Sequence, residues 1–128
     1  MILLDTRALV WLRVEPAKLS PTAREAIRVA RQGGGVAISA ITLWELAWPT
    51  HGRLRVHGTV DAFVEKIAST IAIRSITTQI AVLANQLAST YPGDPSDRLI
   101  GATAMSKGIA LVTKDRAIRN YKQIRTIW

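Results

Sequence analysis

The sequence predicts an α/β fold, a three-layer sandwich with helices on both faces of a mainly parallel sheet of five strands. Short apolar runs typical of buried strands alternate with longer segments whose apolar residues recur at helical spacing, along all 128 residues. No internal repeat, low-complexity segment or linker interrupts this alternation, so we expect a single domain over residues 1–128. In a doubly wound sheet of this kind the expected strand order is 3-2-1-4-5.

Capping residues, glycines and prolines set the element boundaries in the first half of the chain. Ser20 followed by Pro21 is typical of a helix start, and three glycines at 33–35 end that helix. Pro49 ends the next helix. The elements expected here are a strand at 2–4, a helix at 6–13, a helix from 20 to about 32, a strand at 36–39 and a helix at 42–48.

The second half of the chain follows the same rules. Thr59 caps a helix whose apolar residues keep to one face. Asp94 is expected mainly as an N-cap because Pro95 follows it, and Gly108 ends the helix that begins there. The elements expected here are a helix from 59, a strand at 72–76, a helix around 80–87, a helix at 94–107, a strand at 109–113, a helical turn from 115 and a strand near 123–127.

The charge of the chain favours a polyanionic partner. Seventeen Lys and Arg stand against nine Asp and Glu, a formal net charge of +8 that is spread along the chain. Nucleic acid is the commonest partner of such a surface, although many small proteins are simply basic. The absence of cysteine fits a cytoplasmic protein, and we find neither a signal peptide nor an apolar run long enough to span a bilayer.

Four acidic residues from distant stretches are expected at one edge of the sheet. Asp5 ends the first strand and Asp115 follows the fourth, and these strands are neighbours where the strand order reverses, the usual place for a ligand. Glu45 and Asp97 lie near the N-termini of two helices, which meet the same edge. Four like charges repel unless a proton or a cation neutralises them, and their oxygens suit Mg²⁺ or Mn²⁺. Water bound to such an ion can attack a phosphodiester.

Several of these acids also fit a purely structural role. Thr42 and Glu45 have the spacing of a capping box. Asp97 and Asp115 are placed where a cap or a first-turn charge stabilises a helix. Asp5 is expected to have no capping role, because it ends a buried strand.

Basic residues surround the proposed acidic site. Apart from these four acids, the chain has 17 basic and five acidic residues. This balance suits an acidic metal site that is surrounded by basic residues in contact with the phosphate backbone of a nucleic acid. The residues proposed to contact RNA are Arg98, Lys114 and Arg116 beside the acids, and Arg53 and Arg55 in a Gly- and Arg-rich loop. For the three that flank the acids, a solvated charge paired with a nearby acid is an equally good explanation.

Four segments of the chain carry the acidic residues, namely LLDTRAL at the start, ITLWELA around Glu45, DPSDRLIGATA from Asp94 and LVTKD ending at Asp115. In their order and spacing they resemble the PIN-domain family, and more closely its VapC-type toxins of bacterial toxin–antitoxin systems. The resemblance implies a PIN-like fold and a Mg²⁺- or Mn²⁺-dependent endoribonuclease. It matches Asp5, Glu45, Asp97 and Asp115 to the family's acidic ligands.

The resemblance also implies accessory residues and partners. Thr113 matches a small hydroxyl residue that often lines the site, and Asp94 matches an accessory acid of this subgroup. A homodimer is implied, together with a VapB-like antitoxin whose tail lies in the groove, and the RNA targets are typically tRNA or ribosomal RNA. Arg7 stands where the subgroup usually has His, and we expect it either to grip phosphate or to weaken metal binding.

Two other functions fit parts of the pattern. A catalytically weak PIN-like module that binds RNA or protein has the same fold and charge. The presence of all four acids argues against this module, whereas Arg7 argues for it. A receiver domain has a similar size, but it pairs two acids after its first strand, whereas this basic chain has one.

Three tryptophans are predicted to lie near one another on the first and third helices. Trp11, Trp44 and Trp48 either line an antitoxin groove or a dimer face, where Trp is enriched, or pack in the core. Core packing is the role we expect for Trp44.

Overall fold

The computed structural model describes residues 1–48 and 58–128. Its centre is a five-stranded sheet with the expected order 3-2-1-4-5. Every neighbouring pair of strands is parallel, so the predicted fold class is confirmed with a sheet that is entirely rather than mainly parallel. The strands are β1 (Ile2–Leu4), β2 (Val36–Ser39), β3 (Ala72–Arg74), β4 (Ala110–Val112) and β5 (Thr126–Ile127).

The helices begin and end close to their predicted boundaries. Ser20, Thr59 and Asp94 each accept a hydrogen bond from the backbone N–H three residues later, as expected of N-caps. Gly108 ends its helix in the left-handed conformation. In the described part of the chain, no helix is both long and apolar enough to cross a membrane. The helices are α1 (Thr6–Val14), α2 (Pro21–Gln32), α3 (Ala40–Ala47), α4 (Val60–Thr70), α5 (Thr78–Gln86), α6 (Pro95–Lys107) and α7 (Arg116–Arg119), with a 3₁₀ turn at Pro16–Lys18.

The start of α3 differs from the prediction. The helix was expected from Thr42 but begins at Ala40, because the Ser39 side chain at the end of β2 accepts a hydrogen bond from the Ile41 N–H at 3.3 Å. Thr42 therefore lies inside the helix and is fully buried. The capping box expected between Thr42 and Glu45 is wrong, and both side chains make tertiary contacts instead.

The core lies on both faces of the sheet. Successive residues of a strand point to opposite faces. In β1, Leu3 packs in one cluster with Ile100 of α6, whereas Leu4 packs in another with Leu9 of α1 and Ile27 of α2. A parallel sheet buried on both faces by helices makes the three-layer sandwich. The carboxyl edge of the strands is then the natural place for a site.

A close contact between Gly101 and Tyr91 fixes the first turn of α6. The Tyr91 ring is buried and meets the Tyr121 ring edge-on at 5.2 Å between centroids. Its hydroxyl donates a hydrogen bond to the carbonyl of Asp97 at 2.6 Å. A Cβ atom at Gly101 would lie 2.6 Å from Cζ of Tyr91 and closer still to its hydroxyl oxygen.

We expect Gly101→Ala to lower the free energy of unfolding by about 1–2 kcal/mol. The overpacking against Tyr91 outweighs the roughly 1 kcal/mol by which Ala exceeds Gly in helix propensity. Thermal unfolding measures this as a fall in Tm of roughly 3–8 °C. Gly93→Ala is the control, since a Cβ atom at Gly93 meets nothing within 4 Å. Equal Tm values for the two variants would contradict the packing argument.

Candidate active site

The four predicted acids line one cleft at the carboxyl ends of β1 and β4. The cleft has a volume of about 250 Å³. It brings together acids from four distant stretches of sequence because β1 and β4 pair side by side at the centre of the sheet. The residues that line it are Asp5, Thr6, Arg7, Val10, Glu45, Asp97, Lys114 and Asp115.

Asp5 both follows β1 and caps α1. Its Oδ1 atom accepts a hydrogen bond from the backbone N–H of Ala8 at 2.7 Å, and its own N–H donates to the carbonyl of Val112 at 3.1 Å. The expectation that Asp5 has no capping role is therefore wrong. Because α1 begins at Thr6 with no intervening loop, the residue that follows the strand is also the N-cap.

Asp115 lines the cleft after β4, whereas Thr113 is fully buried and is not among the lining residues. Asp115 caps α7, with its Oδ1 accepting from the Ile118 N–H at 3.0 Å. The fully buried Thr113 hydroxyl accepts a hydrogen bond from the Asp115 N–H at 3.1 Å, and its interaction with the Asp5 carboxyl group lowers the pKa of that acid, against the larger effect of burial. Thr113 thus lies between the acids that follow β1 and β4, and the accessory role predicted for it at the site stays a prediction.

Glu45 is oriented by two threonines that the sequence analysis did not assign to the site. The Thr6 hydroxyl donates to Oε1 of Glu45 at 2.5 Å and lies 3.0 Å from the hydroxyl of Thr42. Thr42 precedes Glu45 by three residues, so both face the same side of α3. That spacing was the available signal, and it had been assigned to a helix cap.

Asp97 projects from the first turn of α6. Its backbone N–H donates to Oδ2 of Asp94 at 3.0 Å and its carbonyl accepts from Tyr91 at 2.6 Å. Neither bond uses the Asp97 carboxyl group, which lines the cleft. Asp94 has the predicted cap role and is exposed, and it is not among the residues that line the cleft.

Two of the cleft carboxyl groups, those of Asp97 and Asp5, have raised pKa values. Burial raises the pKa of Asp97 to about 7, with further contributions from the charges of Asp94 and the other three cleft acids. Burial also raises the pKa of Asp5, although its hydrogen bonds to Thr113 and Ala8 and the charge of Arg7 oppose the rise. A cation placed among these groups would remove the repulsion.

The donors in the cleft suit a hard divalent cation. The lining contains carboxylate and hydroxyl oxygens but no thiolate or imidazole, a set that favours Mg²⁺ or Mn²⁺ over zinc. Among residues 1–48 and 58–128, no three acidic or histidine side chains form a ready-made metal cluster. Mg²⁺ commonly keeps several waters and binds a few carboxylates plus substrate phosphate, so separated acids around an open cleft fit its chemistry.

The residues predicted to contact RNA are distributed differently around the site. Arg7 and Lys114 line the cleft. Arg116 is exposed and lines a neighbouring hollow. Arg53 and Arg55 lie outside the described residues.

Arg98 has a structural role in place of the predicted RNA contact. One of its guanidinium nitrogens donates to the carbonyls of Ala84 at 3.1 Å and Leu87 at 3.0 Å. The other donates to the carbonyls of Ala88 and Tyr91 at 3.4 and 3.5 Å. These carbonyls belong to the end of α5 and the segment after it, so Arg98 ties α5 to α6.

We expect Arg98→Met to destabilise the protein by about 1–3 kcal/mol, because the helix-end carbonyls lose their charged donor. The salt dependence of RNA binding should stay unchanged. Lys114→Met is the matched variant, with stability within about 0.5 kcal/mol of wild type and weaker RNA binding. Chemical denaturation and fluorescence anisotropy with labelled RNA measure the two effects. The opposite result, with Arg98→Met stable but poor at binding, would restore Arg98 as an RNA contact.

The tryptophans form two aromatic pairs. Trp44 and Trp48 lie 4.7 Å apart between ring centroids, with 54% and 45% of their surfaces exposed. The core packing expected for Trp44 is wrong, because α3 buries the face that carries Thr42 and Leu46. Trp11 pairs with Trp128 at 5.7 Å.

Comparison with known proteins identifies the family. A PIN-domain family model matches residues 2–124. The chain is 38% identical over 130 residues to Ribonuclease VapC22 of Mycobacterium tuberculosis, with 99% of this chain and 98% of the relative covered. DNA-bound VapBC from Salmonella typhimurium has a TM-score of 0.72 at 25% identity, covering 98% of this chain and 97% of that one. VapBC2 from Rickettsia felis bound to a promoter DNA fragment has a TM-score of 0.72 at 18% identity, with the same coverage. The chain belongs to the PIN-domain family, among its VapC-type members.

Proposed function

We propose that this protein is a metal-dependent endoribonuclease, the toxin of a VapBC-like toxin–antitoxin system, which hydrolyses phosphodiester bonds of RNA. The observation that carries the proposal is the meeting of Asp5, Glu45, Asp97 and Asp115 in one cleft. Full-length similarity to a ribonuclease supports it. The proposal treats residues 1–128 as a single PIN-like domain.

In this proposal the four cleft acids hold Mg²⁺ or Mn²⁺. When bound, such an ion supplies stabilisation of the charge that develops on the phosphate, and a water of lowered pKa. The chain's own contribution is to fix its carboxylates in place. The Glu45 carboxylate accepts from the Thr6 hydroxyl, and those of Asp5 and Asp115 accept from the backbone N–H groups of Ala8 and Ile118.

The cations beside the acids are suited to holding the RNA backbone. Arg7 and Lys114 line the same cleft, so they can contact phosphates on either side of the scissile bond. Phosphate contacts position a strand without reading its bases. The substrates that we propose are tRNA or ribosomal RNA. In this arrangement Arg7, which stands where the subgroup usually has His, is a phosphate ligand.

A cognate VapB-like antitoxin, a homodimeric state and a cytoplasmic location complete the proposal. The solved relatives from Salmonella typhimurium and Rickettsia felis are VapBC assemblies, which supports an antitoxin partner. The exposed pair of Trp44 in α3 and Trp48 at its C-cap flanks Glu45 in sequence and is a candidate contact for that partner or for a second copy. A small reading frame immediately upstream that encodes a DNA-binding antitoxin would support this role.

The test is cleavage of tRNA and ribosomal RNA by the purified full chain. We expect discrete cuts with Mg²⁺ or Mn²⁺ and none with excess EDTA. The alternative function is a catalytically weak PIN-like module that binds RNA or protein, favoured by the presence of the Arg7 cation beside the acids. RNA binding without cleavage in either metal, by a folded protein, would support that module and overturn the nuclease proposal.

A further inference from the structure

A band of cations and tryptophans leads away from the acidic cleft. Arg7 and Lys114, which line the cleft, also lie over the ring of Trp11, at 5.8 and 5.6 Å from its centroid. The Trp11 ring in turn lies 5.7 Å from that of Trp128. Both tryptophans are partly exposed. The two rings therefore connect the cleft to the surface around Trp128.

Trp128 also borders a second, strongly basic hollow. This hollow has a volume of about 440 Å³, and its lining contains three cations and no carboxylate side chain. Arg116 and Arg119 are three residues apart on α7, so they face the same side of that helix. The lining residues are Arg116, Arg119, Asn120, Lys122, Thr126 and Trp128.

The cations of this band have no carboxylate partners in the described part of the chain. Within residues 1–48 and 58–128, ion pairs join only Glu15 to Lys18 and Glu25 to Arg28. Five exposed cations of the cleft and the hollow are thus outside any ion pair formed by the described residues: Arg7, Lys114, Arg116, Arg119 and Lys122. Clustered, unpaired cations raise the local concentration of anions and steer them to the surface.

We propose that this band is a binding track for single-stranded RNA, which holds the strand on one side of the scissile bond. Its five cations contact phosphates, and Trp128 offers a face on which a base stacks. The Trp11 ring carries Arg7 and Lys114. The track rests on the proposed ribonuclease function and extends the substrate site beyond the cleft. RNA is favoured over an acidic protein segment because aromatic faces interleaved with cations match a strand whose bases alternate with phosphates.

The test compares two variants of equal charge in the full chain. One replaces the hollow's Arg116, Arg119 and Lys122 with Ala. The control replaces Arg31, Lys66 and Lys107, which are exposed on α2, α4 and α6. Binding of a labelled 12-nucleotide RNA is measured by anisotropy in EDTA over a series of salt concentrations.

We expect the slope of log affinity against log salt to fall by about 2 in the hollow variant and to stay unchanged in the control, since each phosphate contact contributes about 0.7. Trp128→Leu should weaken binding about tenfold with the slope retained, because it removes stacking and leaves the charges. The single variant Arg119→Ala, with an expected slope change of about 0.7, replaces the triple variant if that does not fold.

Equal slopes in the hollow and control variants would overturn the track even if the wild type cleaves RNA. Poly-glutamate is tested as a competitor of the labelled RNA. If it competes as well as unlabelled RNA does, and if it no longer binds the hollow variant, the track is overturned in favour of a site for an acidic protein segment. The expected slope changes in a protein that fails to cleave RNA would support the track while the ribonuclease proposal fails.

Discussion

Asp97→Asn is expected to lower kcat/KM for RNA cleavage by about a thousandfold while the protein stays folded. The loss corresponds to the several kcal/mol of charge stabilisation that a bound divalent ion provides in a phosphoryl-transfer transition state. The fold should survive because the hydrogen bonds of Asp97 to Asp94 and Tyr91 use its backbone. Initial rates on a labelled RNA with Mn²⁺, together with Tm, measure both parts of the prediction.

Asp5→Asn tests the same cleft from the strand side. Asp5 is both a cleft acid and the cap of α1, so substitution by Ala would confuse loss of a ligand with loss of a cap. Asn is as good an N-cap as Asp and removes only the charge. We therefore expect a comparable loss of cleavage with a small change in stability.

Asp61→Asn is the matched control for these variants, and Asp94→Asn tests the predicted accessory acid. Each removes one exposed acid, and Asn preserves the cap at Asp94. Asp61→Asn should keep the wild-type rate. A slower rate for Asp94→Asn would indicate the predicted accessory acid, whereas the wild-type rate would indicate a cap alone. Equal cleavage by wild type, Asp97→Asn and Asp5→Asn would show that the cleft acids do not carry the reaction.

The parts of the site that were predictable are those that depend on local sequence and chain order. The position of Asp94 before Pro95 is enough to identify its cap, because the interaction spans three residues. The meeting of Asp5 with Asp115 follows from the parallel pairing of the strands that precede them. Both inferences need no knowledge of which side chains pack together.

The parts that were missed depend on contacts between elements. The hydrogen bond from Thr6 to Glu45 joins two helices, and nothing in either segment alone indicates it. The charge of Arg98 led to its prediction as an RNA contact. Its guanidinium group instead donates hydrogen bonds to carbonyls near the end of another helix. Trp44 was expected in the core, yet α3 buries the face that carries Thr42 and Leu46 and leaves Trp44 exposed.

Without a divalent cation, we expect the protein to lose stability as the pH rises from about 4 to about 7. The pKa of Asp97 is raised from 3.8 in the unfolded chain to about 7 in the folded protein, so the folded state binds the extra proton in this range. The stability that this proton provides is complete below the unfolded pKa, and it is fully lost above the folded pKa. The partial exposure of Asp97 reduces the effect to about 1–3 kcal/mol.

Asp97→Asn should therefore be more stable than wild type in EDTA at pH 8, by about 1–3 kcal/mol or roughly 3–10 °C in Tm, and equal to it near pH 4. Adding Mn²⁺ at pH 8 should raise the Tm of wild type more than that of the variant, because the ion binds the ionised acids of the folded state. Asp61→Asn, which removes an exposed acid, should show neither effect.

A variant that gains stability while it loses cleavage separates the two roles of the carboxylate. If Asp97 served mainly to hold the fold, its removal would destabilise the protein at every pH and with or without metal. The opposite outcome, a stabilised and inactive protein, means that the repulsion among these acids lowers the stability of the fold. Such a cost is retained because cleavage needs the acids to bind a cation. A flat pH profile for wild type in EDTA would contradict the buried, mutually repelling arrangement itself.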